Sequence, residues 1–353
     1  MKLNHFKELD GVRALAALMV MFFHFFLEIN SNNKALLIIK KFSIFGQTGV
    51  SLFFVLSGFL ITRILINSKD NPSYFKTFYL RRSVRIFPLY YLYLTLTFII
   101  LPLIHNIPVV SFGQQIYFWV YLQNFASTFR WSISPEPSHF WSLSVEEHFY
   151  LFWPLLIYFL DIKKINYAII ITILVAFVTR IFLIKNGFEV FYFTFSRMDE
   201  LAVGAILAIL EIKGKLNSSN TRKFLLIFLL ILLPTVGLWT LTTGKGNDII
   251  QIFKFILLSF CYFSLIGIVI TIKESSWLKK IFRLNPMVYT GKISYGLYVY
   301  HPLCFGFIRL YTKVDSVFYS FVLSFLLTYF IASISFYFFE SKFLSLKKKF
   351  DYN

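Results

Sequence analysis

Four groups of polar residues interrupt stretches that are otherwise apolar, and each holds side chains able to move protons or grip anions. In LDGVRALAALMVMFFHF, Arg13 and His24 are eleven positions apart. On an α-helix that spacing is three turns plus about 20°, which puts both on one face about 16 Å apart along the axis. Asp10, three positions before Arg13, is within pairing reach of it. Histidine suits proton transfer near neutral pH. In YLRRSVRIFPLYY, Arg82 and Arg85, with Arg81, make a one-turn basic patch. Guanidinium groups so placed grip phosphate through bidentate contacts, though a topology signal touching anionic lipid has the same look.

SHFWSLSVEEHFYLFWP contributes Glu146, Glu147 and His148. Two adjacent carboxylates point to different helix faces, so at most one faces a site directly. The flanking Trp141 and Trp153 read as interfacial anchors, with Trp141 also a candidate supporting residue. GKISYGLYVYHPL places Ser294, Tyr298 and His301 on one broad face, with Pro302 following. Glu340, after an apolar run, reads as half of a structural ion pair with Lys342 nearby.

The elements that must position these groups are transmembrane helices. Hydrophobic residues make up 58% of the 353 positions and charged ones 15%, against about a quarter charged in soluble domains. Apolar runs of roughly 20 residues, the length that crosses a hydrocarbon core, recur throughout. A net charge of +18 invites thoughts of nucleic acid, but the basic residues sit in short segments between apolar runs, as membrane loops do; nucleic acid is not an expected partner. Cys261 and Cys304 lie inside apolar runs and read as packing residues, not a disulfide or metal pair, and no metal site is expected. The first apolar stretch contains Arg13 and His24 and lacks a cleavage pattern, so it reads as a retained helix.

The spans are expected at about 11–29, 47–66, 87–104, 143–160, 166–184, 197–212, 223–241, 249–272, 290–311 and 316–339. Between them, 105–142 is the longest connection, with IYFWVYL as a partial or re-entrant helix. With the N-terminus inside, the inner segments carry roughly three times the lysine and arginine of the outer ones, among which are Lys34, Lys40, Lys41, Lys245 and Lys313. The expected fold is therefore an all-α integral membrane protein of about ten transmembrane helices with both termini cytoplasmic. It forms one membrane-embedded domain over 1–353, with a short basic cytoplasmic tail at 340–353.

An ionisable side chain near the middle of a membrane helix costs about 2.5–3.5 kcal/mol, so these groups are candidates for function. His24 and His301 are expected about half-way across, the Glu146/Glu147 pair approaching from outside, and the arginines at the cytoplasmic entrance. A phosphate-bearing donor would bind below with its reactive end at a buried histidine, while an acceptor enters from above. A transporter with a His/Glu/Arg proton relay is the competing reading; a polysaccharide polymerase or ligase is a third, and a purely structural scaffold leaves the buried charges without a role.

LDGVRALA...FFH, GVSLFFVLSGFLIT, RRSVRIFPLYY, FWSLSVEEHFYLFWP, RMDELAVGAILA, SYGLYVYHPL and the closing FFE, in that order over nearly the whole chain, resemble the acyltransferase-3 family of integral membrane O-acyltransferases. The resemblance implies transfer of an acetyl or other short acyl group from acetyl-CoA, or a related acyl-CoA, to a sugar hydroxyl of a cell-envelope polysaccharide or glycan at the bacterial inner membrane. By position, the family's arginine–histidine motif falls on Arg13 and His24, its paired arginines on Arg82 and Arg85, and its acidic motif on Glu146 and Glu147. His24 would then be the general base or a transient acyl carrier, with Glu146 or Glu147 orienting it. Arg13, Arg82 and Arg85 would hold the donor, and Asp10, Trp141, His148, Ser294, Tyr298 and His301 would contact substrate or support the site. Where family members often have glutamine after the acidic pair, this chain has His148. The esterase-like domain that many members append is not expected here.

Overall fold

The structure, a computed structural model, describes residues 6–29, 32–105, 108–242, 246–312 and 316–350. Among these residues all regular structure is helical. The chain opens with α1 (Glu8–Leu27), α2 (Lys34–Ser43) and, after a 3-10 turn, α3 (Gly49–Asn67). α4 (Tyr74–Thr95) continues through a π-helical turn into α5 (Leu101–His105). The long connection holds α6 (Phe112–Trp119) and α7 (Gln123–Thr128), and then come α8 (Trp141–Phe159), α9 (Ile162–Lys185), α10 (Thr194–Ile212), α11 (Thr221–Thr242) and α12 (Asp248–Thr271). α13 (Trp277–Phe282), α14 (Asn285–Lys292) and α15 (Ser294–Tyr311) lead to α16 (Val317–Ser335), which passes through a second π-helical turn into α17 (Ser341–Ser345).

Each of the ten expected spans has a helix at its place. Seven helical stretches among the described residues are long and apolar enough to cross a membrane. α8, α10 and α15 fall outside that set, because they carry the polar groups: Glu146 and Glu147, Arg197 to Glu200, and Ser294 to His301. Polarity is inverted relative to a soluble protein. Leu230, Leu233 and Leu310 are at least three-quarters exposed, whereas Arg180, Asp199 and Glu200 are fully buried. Only a lipid solvent makes that arrangement favourable, and the chain is a multi-pass membrane protein.

Several expectations need correction. The third helix starts at Tyr74, not near residue 87; its arginines depress local hydropathy without breaking the helix, so they sit inside it and not before it. Residues 34–43, expected as an outer connection, form a helix capped by the Asn33 side chain. IYFWVYL ends its helical course at Trp119. Trp141 and Trp153 are buried within the protein rather than facing outward; the Trp153 indole projects between helices and donates to Thr62 Oγ1 (2.8 Å). Lys245 and Lys313 of the charge pattern, and 351–353 of the tail, lie outside the described residues.

α3 and α10 touch backbone to backbone. A Cβ on Gly58 would fall 1.9 Å from the Leu201 carbonyl oxygen, and one on Gly204 2.0 Å from that of Val55. Reciprocal glycines of this kind let membrane helices approach where apolar burial provides no drive. At the start of α1, buried Glu8 accepts from Arg283 Nε (2.9 Å) and lies 3.5 Å from Lys279 Nζ. Both cations also meet Glu274, which fastens α1 to α13.

Candidate active site

α4 and α8 run antiparallel, tied by Tyr74 Oη to the Pro154 carbonyl (3.0 Å) and Tyr79 Oη to that of Leu151 (2.9 Å). α3 and α15 complete the walls of a cavity of about 200 Å³. Arg13, Arg82 and Tyr150 mark one end; Arg85, Ser57 and Glu146 the middle; Val50, Ser142 and Tyr298 the other end. That order follows from the direction of each helix and its 1.5 Å rise per residue.

Three guanidinium groups therefore reach one space. Arg13 is paired with Asp10, as the spacing predicts. Arg82 stacks over the Tyr150 ring (4.2 Å to its centroid), and its Nε is buried without a hydrogen-bond partner. Neither Arg82 nor Arg85 makes an ion pair among the described residues. Glu146 accepts from Ser57 Oγ (2.7 Å). It is the cavity's one lining carboxylate.

At the Tyr298 end, the tyrosine hydroxyl accepts from Ser142 Oγ (2.6 Å) and donates to the His139 carbonyl. Behind this partition stand three imidazoles. His24 Nδ1 and His301 Nε2 are 2.9 Å apart. His139 lies edge-on to His301, with ring centroids 5.5 Å apart, and its Nε2 donates to the Val299 carbonyl (3.2 Å).

The predicted residues thus divide into two groups. Arg13, Arg82, Arg85, Glu146, Ser294 and Tyr298 line the cavity. His24 and His301 meet each other one side-chain layer beyond it, and Asp10 supports Arg13. His24 sits in the last turn of α1 and not half-way along, since the helix ends at Leu27; His301 is near the middle of α15. Glu147 turns away from Glu146, and its buried Oε1 has no partner. His148 Nδ1 bonds Thr194 Oγ1 (2.7 Å) outside the cavity lining. Trp141 backs the site by packing on Phe54 and under Arg197. Glu340 turns inward, accepting from Ser335 Oγ (3.2 Å) beside Gly296, while Lys342 stays exposed.

Reading the sequence missed His139, Ser57, Ser142 and Tyr150. His139 lies outside any long helix, so no periodicity links it to α1 or α15. It also missed a buried network on α9 and α10: Arg180 with Asp199 (2.8 Å) and Arg197 with Glu200 (3.0 Å). The run RMDE, with three charges in an apolar setting, was the available signal.

Fold and site together define a polytopic helical membrane protein with a basic internal cavity ending beside a histidine pair. Residues 6–339 match the acyltransferase-3 family, described as an acyltransferase domain, and the chain belongs to that family. A protein of Staphylococcus aureus strain COL named "Putative O-acetyltransferase" is 29% identical over 367 residues, covering 97% of this chain and 58% of its own. O-acetyltransferase OatA of Staphylococcus aureus strain NCTC 8325 / PS 47 is 29% identical over 361 residues, covering 94% of this chain and 56% of its own. This chain therefore spans little more than half the length of these relatives. No solved structure matches.

Proposed function

We propose that this chain is an O-acyltransferase of the bacterial cytoplasmic membrane, moving an acetyl or other short acyl group from acyl-CoA to a sugar hydroxyl of an envelope glycan. The observation that carries the reading is that three guanidinium groups, Arg13, Arg82 and Arg85, face one cavity whose single lining carboxylate, Glu146, is engaged by Ser57. Two half-buried cations with no ion-pair partner among the described residues are costly unless an anion completes them, and the phosphates of a coenzyme would. At about 200 Å³ the cavity is below the roughly 300–1,000 Å³ of a pocket that encloses a drug-sized ligand. It suits the narrow thioester arm, with the nucleotide end outside.

In the reaction, His24 takes the acceptor hydroxyl's proton as that oxygen bonds to the thioester carbonyl carbon. The carbon–sulfur bond then breaks, and the thiolate recovers a proton to leave as free thiol. In a two-step variant the histidine nitrogen itself attacks, and an acyl-imidazole passes the group to the alcohol. Either course requires the Tyr298–Ser142 contact to open, since His24 lies past it. Trapping an acyl group on His24 would separate the two courses.

The test is thiol release from acetyl-CoA by purified protein in lipid nanodiscs, with envelope sugar oligomers as acceptor. His24→Ala abolishes it while the protein still inserts; normal turnover by that variant removes the mechanism. A transporter would release no thiol, and would show its activity only in sealed vesicles.

A further inference from the structure

His24 can act as a base only if the nitrogen facing substrate is unprotonated, and the structure contains a device that decides which nitrogen that is. In a helix each N–H donates to the carbonyl four residues back. Pro302 has no N–H, so the Tyr298 carbonyl lacks its helical partner. His301 Nδ1 fills the vacancy at 2.8 Å and lies 3.1 Å from the Leu297 carbonyl. Carbonyl oxygens only accept, so His301 Nδ1 carries the proton.

A neutral imidazole has one N–H. With His301 protonated at Nδ1, its Nε2 presents a lone pair, and the group opposite is His24 Nδ1 at 2.9 Å. His24 Nδ1 must therefore be the donor. His24 Nε2 is then left as the basic nitrogen. His301 is fully buried, so water does not compete for its Nε2.

We propose that His301 is the positioning residue that fixes the catalytic tautomer of His24, taking the part a carboxylate plays in a serine-hydrolase triad, with Pro302 setting its polarity through the freed Tyr298 carbonyl. The proposal rests on the acyltransferase reading above. It assigns the orienting role to α15, and leaves Glu146, held by Ser57 in the arginine cavity, to the donor side. The wrong tautomer in a triad costs about 10⁴-fold in kcat.

Two variants and one spectrum test it in full-length protein in nanodiscs. His301→Phe keeps the ring volume but removes the acceptor. It is expected to lower kcat by about 10²–10⁴-fold, with the KM for acetyl-CoA unchanged. His301→Gln, whose amide oxygen can accept from His24 Nδ1, is expected to recover at least about a tenth of wild-type kcat. Nitrogen-15 NMR of histidine-labelled wild-type protein is expected to show His24 protonated at Nδ1 and bare at Nε2, and it decides the matter even if His301→Phe fails to fold. The proposal is overturned if His301→Phe retains near-normal kcat, if His301→Gln is no better than a folded His301→Phe, or if His24 is protonated at Nε2. Absence of any thiol release by wild type would instead remove the functional reading, while the NMR result would still stand for the tautomer.

Discussion

Two sets of arginines lie within the bundle, and they are treated in opposite ways. Arg180 and Arg197 are each ion-paired: Arg180 reaches Asp199 Oδ2 and the Ser196 carbonyl (3.0 Å), and Arg197 reaches Glu200, the Phe191 carbonyl (2.9 Å) and Ser51 Oγ (3.3 Å). Aromatic faces enclose Arg197, with Phe255 4.0 Å from its guanidinium carbon. Arg82 and Arg85, by contrast, are half-buried, face a cavity, and have no ion-pair partner among the described residues. A paired, sealed arginine has its charge neutralised and no open space beside it in which to meet a ligand. An unpaired one beside open space has all its donors free, and its desolvation is offset only when an anion arrives. The first set holds helices together, and on the function proposed above the second is the one that receives the donor.

The comparison breaks most visibly if the sealed set can be cut without harm. Asp199→Ala leaves the buried Arg180 charge uncompensated, a loss of about 3–5 kcal/mol. It is expected to reduce monodisperse protein on size exclusion and to lower the melting temperature in detergent sharply. The double substitution Arg180→Met with Asp199→Leu is expected to recover most of that stability, since an apolar replacement of a buried pair is near neutral. A well-folded Asp199→Ala protein would mean the pair contributes little.

The open set should respond in activity and not in stability. On the proposed function, Arg82→Gln or Arg85→Gln would remove charged hydrogen bonds to the donor worth about 1.5–3 kcal/mol, so kcat/KM for acetyl-CoA is expected to fall about 10–100-fold. The melting temperature should hold or rise, because an unpaired half-buried charge has gone. Melting that drops as it does in Asp199→Ala would place these arginines in the structural class.

Smaller again is the effect of Tyr298→Phe. It deletes the hydroxyl joining Ser142 to the His139 carbonyl, a loss of about 0.5–1.5 kcal/mol. Melting should fall slightly, and turnover should not collapse if opening of this contact is part of the reaction. A complete loss of activity in a folded variant would instead put the hydroxyl into the chemistry.

Much of this division could be read from the sequence, and the limits are physical. Hydropathy placed each expected span on a helix, seven of them in stretches apolar enough to cross a membrane among the described residues, since apolar length is a local property. It misplaced the start of α4, where arginines break the apolar run without breaking the helix. Helical spacing paired Arg13 with Asp10 and grouped Ser294, Tyr298 and His301, because those are relations within one helix. The His24–His301 contact, the Ser57–Glu146 bond and the insertion of His139 are relations between helices, and periodicity carries no information about them. The same limit hid the difference between the arginine sets: RRSVR and RMDE both look like charge in an apolar setting until the packing shows which is neutralised.

The weakest expected effect lies outside the membrane spans, where solvent screens charge. Glu274, in the connection after α12, bonds Lys279 and Arg283, and these hydrogen bonds hold its carboxyl below the ordinary glutamate range. With the folded value depressed, the contribution is present above the unfolded value and is lost as pH falls through the folded one. Glu274→Gln is therefore expected to lower the melting temperature slightly at pH 7 and to match wild type once the medium is acidic enough to protonate the glutamate. Because Glu8 independently holds both cations from a buried position, α1 stays fastened to α13 either way. A large loss in Glu274→Gln at neutral pH would show that an exposed pair can carry the weight assigned here to sealed ones, and the contrast between the two arginine sets would lose its basis.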